Sequence, residues 1–159
     1  MCKTGALLNV SATLLGQGYS VRFSAPGTSM GPTIRDGETI TVAPAVPSEI
    51  RRGDVVAYRR GYHVIAHRVV GVERHNESPV FLMRGDAAMS CDPPVTREQI
   101  LGKVVSVEGR GRQRKVSSRP AKLAYMARVA ASRVKRSMAA AAVMIGVRSI
   151  EALGGVEHA

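Results

Sequence analysis

The sequence predicts a small, mainly antiparallel β domain followed by a C-terminal basic helix. Three observations carry this. From residue 19 to 108, β-branched runs alternate with Gly, Pro and Asp, the pattern of short strands joined by turns. Residues 109–119 are then rich in Gly, Arg and Ser and read as a solvated linker. From residue 122 to about 153 the chain is Ala-rich, with no Gly or Pro until Gly146, and that composition favours helix.

This gives a β-rich domain over residues 1–108, a basic linker over 109–121 and a helical tail over 122–159. A chain of 159 residues has room for one core but not for two full-sized units. Candidate strands are 19–23, 39–42, 54–58, 66–72, 80–83 and 102–107. Asp36-Gly37, Gly53-Asp54 and Gly85-Asp86 fall between or beside them and suit tight turns. Aromatic residues make up only 4% of the chain and Trp is absent, so core packing must rest on Val, Ile, Leu, Ala and Met.

Residues 4–21 carry no charge and just reach the roughly 18 residues that a spanning helix needs. Their composition argues against it. Asn9, Ser11, Thr13, Gln17 and Ser20 are polar, and Gly5, Gly16 and Gly18 weaken a helix. A secretory signal peptide needs a compact apolar run after a basic start; Lys3 supplies the charge, but Asn9 interrupts the run. In the tail the longest uncharged run, 137–147, is also too short to span a bilayer. With neither a spanning helix nor a signal peptide in view, the chain is placed in the cytoplasm or at the periphery of a membrane.

The net charge of +11 is unevenly spread. Residues 1–108 hold 12 Lys/Arg against 10 Asp/Glu, whereas the rest holds 11 against only Glu151 and Glu157. The basicity therefore belongs to the tail, which argues against a nucleic-acid surface on the β domain and points to an anionic membrane surface as the tail's partner. Cys2 and Cys91, 89 residues apart, form neither a disulfide framework nor a metal-ligand spacing.

Chemistry concentrates at Ser29 and His67. Ser29 lies in P-G-T-S-M-G-P, where Gly27 and Gly31 let the backbone adopt conformations closed to other residues and approach a substrate closely. A serine hydroxyl becomes a nucleophile when a neighbouring base takes its proton. His67 opens H-R-V-V-G-V, which places an imidazole on a rigid strand. An imidazole serves as a base near pH 7 without special help, whereas a lysine base must be held about three pH units below its ordinary pKa. The second imidazole nitrogen needs an acceptor to fix tautomer and orientation. Asp86 and Asp92, which follow the strand at 80–83, are the candidates, and the residues alone do not choose between them. His63 and His75, beside turns, are read as solvent-facing.

In order, G-T-S-M-G-P with D-G-E, R-R-G-D-V-V-A-Y, H-R-V-V-G-V, R-G-D-A-A-M-S-C-D and G-K-V-V resemble the motif series of type I signal peptidases. The resemblance covers about residues 23–107. It implies a β-rich peptidase fold and a serine endopeptidase that acts on a polypeptide and uses no cofactor or metal, with Ser29 as nucleophile. Histidine at the base position is similar to the endoplasmic-reticulum and SipW-like branch. In that branch the acid lies downstream of the Gly-Asp motif, which points to Asp92, with Asp86 supporting the site.

Gly27 stands where many signal peptidases have serine, so oxyanion or substrate-backbone contacts are expected from Gly27, Thr28 and Met30. The family's N-terminal membrane anchor has no counterpart here, nor does the family offer a match for the basic tail. Two alternatives are a LexA-like self-cleaving peptidase, which shares G-x-S-M-x-P but uses a lysine base and cleaves an Ala-Gly bond, and a non-catalytic binding module with a basic tail. Residues 1–28 contain no Ala-Gly pair.

Overall fold

The computed structural model describes residues 3–75 and 78–116. These residues fall in the first of two units into which the chain divides, Met1–Lys122 and Leu123–Ala159. The helix expected over 122–159 lies outside the described residues. The described part is one helix and one antiparallel sheet.

Helix α1 (Lys3–Gly16) precedes strands β1 (Val21–Ala25), β2 (Glu38–Ala43), β3 (Val55–Arg60), β4 (His63–His75) and β5 (Ser78–Arg84). The short β6 (Val95–Thr96), the long β7 (Ile100–Gly109) and β8 (Arg112–Lys115) complete the sheet, with single 3-10 turns at Pro47–Glu49 and Arg97–Gln99. The strand order is β1-β2-β7-β3-β4-β5-β6, with β8 paired to β7. All pairings are antiparallel.

The central strand explains how so few aromatics suffice. Residues 55–58 of β3 are all buried, as a continuous apolar run on a two-sided strand requires. Successive side chains point to opposite faces, so Val55 and Ala57 join Ile40, Val42, Val104 and Val107 in one core cluster. Val56 and Tyr58 join Val69, Phe81, Met83 and Val95 in the other. Each fully buried side chain of this size contributes roughly 1.5–3 kcal/mol of transfer free energy.

Besides the two-residue β6, two elements depart from the sequence expectation. The N-terminal segment is helical because Leu8, Ser11 and Leu15, spaced i, i+3 and i+7, form a buried face. Its glycines help to end the helix. Gly18 takes φ +92°, its N–H reaches the Leu15 carbonyl at 3.1 Å, and the Tyr19 N–H reaches the Leu14 carbonyl at 3.0 Å. That is the Schellman pattern of a left-handed C-terminal cap. At 14 residues the helix is too short to span a bilayer, and among the described residues no helix is long and apolar enough to cross one.

The second departure is β8, which lies inside the segment read as a solvated linker. Residues 109–112 turn the chain back on β7, and all four side chains of β8 are exposed. Its polar composition hid a strand that contributes backbone pairing rather than core. Behind it Val116 is 3% exposed and packs into the first cluster. Arg114 reaches across to the Thr33 carbonyl and to the Glu38 carboxylate.

Candidate active site

β1 leads into a turn that carries Ser29. Gly27 takes φ +103°, a conformation L side chains rarely adopt, and its N–H donates to Asp36 Oδ1 at 2.7 Å, closing the base of the loop. Met30 and Ile34 are 5% and 2% exposed and pin the loop into the first core cluster. Ser29 itself stays exposed. Its carbonyl accepts from the Ala87 N–H at 2.8 Å. Gly85 lies directly beneath it, and only a residue without a Cβ leaves room for this approach.

His67 sits within β4, paired with Val56 of β3, and is 9% exposed. Its ring stands edge-on to the buried Tyr58 ring, with centroids 6.5 Å apart. Asp92 comes from the loop after β5 and is fixed there by its own N–H, which donates to the Met83 carbonyl at 2.9 Å. Three separate elements thus converge. Ser29 Oγ lies 3.0 Å from His67 Nε2, and His67 Nδ1 lies 2.5 Å from Asp92 Oδ2. With Nδ1–H donating to the carboxylate, Nε2 is left to accept from the serine hydroxyl.

Asp86 does not join this chain. Both its oxygens accept from the Arg68 guanidinium at 2.7 Å, and Oδ2 also accepts from Thr33 Oγ1 at 2.5 Å. Arg68 in turn donates to the Gly53 carbonyl at 2.8 Å. The pair is buried, with side-chain exposures of 1% and 5%, and bidentate geometry suits a guanidinium meeting a carboxylate. Because His67 and Arg68 are consecutive on a strand, they face opposite ways. One ring faces the serine, and the next side chain ties Asp86, Thr33 and the turn before β3 together behind it.

The expected oxyanion residues separate as well. The Gly27 N–H is committed to Asp36. The Thr28 carbonyl accepts from the Gly31 N–H at 3.0 Å, and Thr28 is not among the residues lining the cleft. Met30 lines the cleft with a side chain that is also core. No described residue accepts from the Ser29 N–H, which leaves that donor free for an oxyanion.

A cleft of about 600 Å³ opens over Ser29, His67 and Asp92. Along it lie two sheet edges unpaired among the described residues, those of β1 and of the first part of β4. β1 pairs only with β2, and the β4 segment from His63 to His67 pairs only with β3, since β5 begins its pairing at Arg68. His63 is exposed, as its sequence suggested, and also lines the cleft. Arg60, across the hairpin from His63, extends Nη1 to 3.4 Å from Asp92 Oδ1. The Tyr58 hydroxyl is held well above the ordinary phenol pKa, mainly by burial and secondarily by the Asp92 charge. Among the described residues no group of His, Cys, Asp or Glu is placed to hold a metal ion.

Sequence reasoning missed Arg68, Thr33, Arg60, Tyr58 and Gly85. Of these Arg68, Tyr58 and Gly85 had a signal, each lying within one of the ordered motifs. The others are brought to the site by strand pairing and loop packing. In comparison with known proteins, no family model matches this sequence and no curated protein matches it.

Proposed function

We propose that this protein is a serine endopeptidase of the signal-peptidase type. The observation that supports it best is the unbroken chain of short polar contacts from Ser29 through His67 to Asp92, drawn from a turn, a strand and a loop. The free edges of β1 and β4 beside that chain suit an extended peptide, which binds such edges by main-chain hydrogen bonds.

In this reading Ser29 Oγ attacks the scissile carbonyl carbon while His67 Nε2 takes the hydroxyl proton. Asp92 holds the ring and balances the imidazolium that forms. The Ser29 N–H donates to the developing oxyanion. The tetrahedral species collapses as His67 returns the proton to the leaving amine, and a water molecule, deprotonated by the same imidazole, then hydrolyses the acyl-enzyme. The cleft has no lysine among its described lining residues, which favours this reading over a LexA-like peptidase.

The test is labelling by a serine-directed fluorophosphonate, with mass mapping of the adduct and a parallel Ser29→Ala control. Modification of Ser29 in the wild type, lost in the variant and accompanied by cleavage of apolar peptides, supports the proposal. An unlabelled Ser29 would leave a binding module as the better reading. The basic segment beyond residue 108 is proposed to hold the enzyme at an anionic membrane surface, an attraction that weakens as salt rises. Sedimentation with anionic vesicles at low and high salt reads it directly.

A further inference from the structure

Helix α1 stands outside the β fold that assembles Ser29, His67 and Asp92, yet it reaches the cleft over them. Leu8 and Ser11 line that cleft together with Phe23 and Val64. Both are nearly buried, at 5% and 8% exposure. On its other flank α1 borders a second cavity of about 510 Å³, which Leu8 also lines. Leu8 therefore stands as a partition between two open spaces rather than as one more filler of a packed core.

We propose that α1 forms a wall of the substrate cleft and that Leu8 and Ser11 set which apolar side chains of a peptide fit beside Ser29. The inference rests on the peptidase reading for its substrate class. An apolar wall discriminates by volume, and one methylene in such a pocket changes discrimination by about 10-fold or more. Leu8 separates the cleft from further empty space, so shortening it enlarges the site. Ser11 is small and faces the cleft, so enlarging it closes the site.

The experiment compares otherwise identical peptides carrying Ala, Val, Leu or Phe at one position on the acyl side of the scissile bond. Wild type, Leu8→Ala and Ser11→Leu are assayed for kcat/KM, and the same peptides are titrated against each background carrying Ser29→Ala to measure binding without cleavage. Leu8→Ala should raise the Phe-to-Ala preference about 10-fold or more, and Ser11→Leu should lower it by a similar factor. Fluorophosphonate labelling of Ser29 in each variant checks that Ser29 and His67 are still assembled. Opposite shifts distinguish a wall from a merely structural helix, whose disruption would depress all peptides together. Unchanged preferences in both variants, with cleavage intact, overturn the wall. Shifted binding preferences without any cleavage uphold the wall and overturn the peptidase reading. Absence of measurable peptide binding overturns the wall as well.

Discussion

Gly85 lies so close beneath Ser29 that a Cβ at position 85 would stand 2.5 Å from the Ser29 carbonyl oxygen and 3.1 Å from the Ser29 Cβ. The obstacle is backbone, so a substituted side chain cannot rotate out of the conflict. Gly85→Ala should push the nucleophile loop away from His67. We expect kcat to fall about 100-fold, the effect of a displacement near 1 Å, with a stability loss of about 1–3 kcal/mol. Steady-state kinetics and a thermal melt on the same preparation check both. Full activity in a folded variant would show that the loop has freedom the contact denies it.

Asp86 and Asp92 should fail in different ways. Asp92→Asn keeps the shape of the side chain but presents the wrong partner to His67 Nδ1, and a loss in kcat on the order of 10⁴-fold is expected with little change in stability. Asp86→Asn removes the charge facing a buried Arg68, and breaking such a pair costs about 3–5 kcal/mol. Denaturant melts should therefore rank Asp86→Asn as the more damaging, and turnover per folded molecule should rank Asp92→Asn first. The reverse ranking would move the orienting role to Asp86.

Ser29 and His67 should behave as one unit. Each is nearly inert without the other, so Ser29→Ala, His67→Ala and the double variant are expected to share a similar residual rate. Losses that multiply in the double variant would argue that the two side chains act independently.

Tyr58 offers a test in the opposite direction. Its hydroxyl is buried close to Asp92 and Arg60 but makes no hydrogen bond of ordinary geometry among the described residues, and a group left so costs about 1–3 kcal/mol. Tyr58→Phe keeps the ring against His67 and removes the unsatisfied oxygen. Stability should hold or rise, and kcat should stay within a few-fold of wild type. A large loss of turnover with the fold intact would reveal a direct role for the hydroxyl beside Asp92.

Glu38 should leave a mark on acid stability. Its carboxyl is held below the usual value, mainly by the Arg114 guanidinium, with help from the Arg35 N–H and against the opposing effect of burial. Because the folded pKa is the lower one, the stabilisation is fully present above the unfolded value of about 4.5. It is lost as pH falls through the folded value. Urea midpoints measured from pH 7 down to pH 3 should fall more steeply for wild type than for Glu38→Gln. Parallel curves would mean that the contact adds nothing measurable.

The sheet was legible because its strands carry their own signature. All six candidate strands are present; four are longer by up to three residues at an end, and those expected at 19–23 and 54–58 are shifted to 21–25 and 55–60, since β-branched runs mark cores better than edges. The elements missed were those whose stability comes from elsewhere. α1 owes its place to three inward side chains and a glycine cap, and β8 to backbone pairing under four exposed polar side chains. At the site, Ser29 and His67 stood out by local context. The choice between Asp86 and Asp92 came from the resemblance and not from the residues themselves, because it depends on which loop folds back to Met83 and which meets Arg68. The role of Gly27 was also hidden, since Asp36 takes up its N–H from nine residues away.

The two core clusters share β3, and the reacting groups are divided between them. Ser29 is carried by a loop that Met30 and Ile34 anchor on one face. Asp92 hangs from the Met83 carbonyl on the other, and His67 stands edge-on to Tyr58 on that same side. A shear of one face past the other therefore loads the 3.0 Å contact between Ser29 and His67 along with the Ala87-to-Ser29 and Thr33-to-Asp86 bonds that hold the same loop. Proton transfer across that contact is a sensitive strain gauge for the sheet. Substitutions at Val55, Val56 or Ala57, far from any peptide, should slow turnover before they measurably loosen peptide binding.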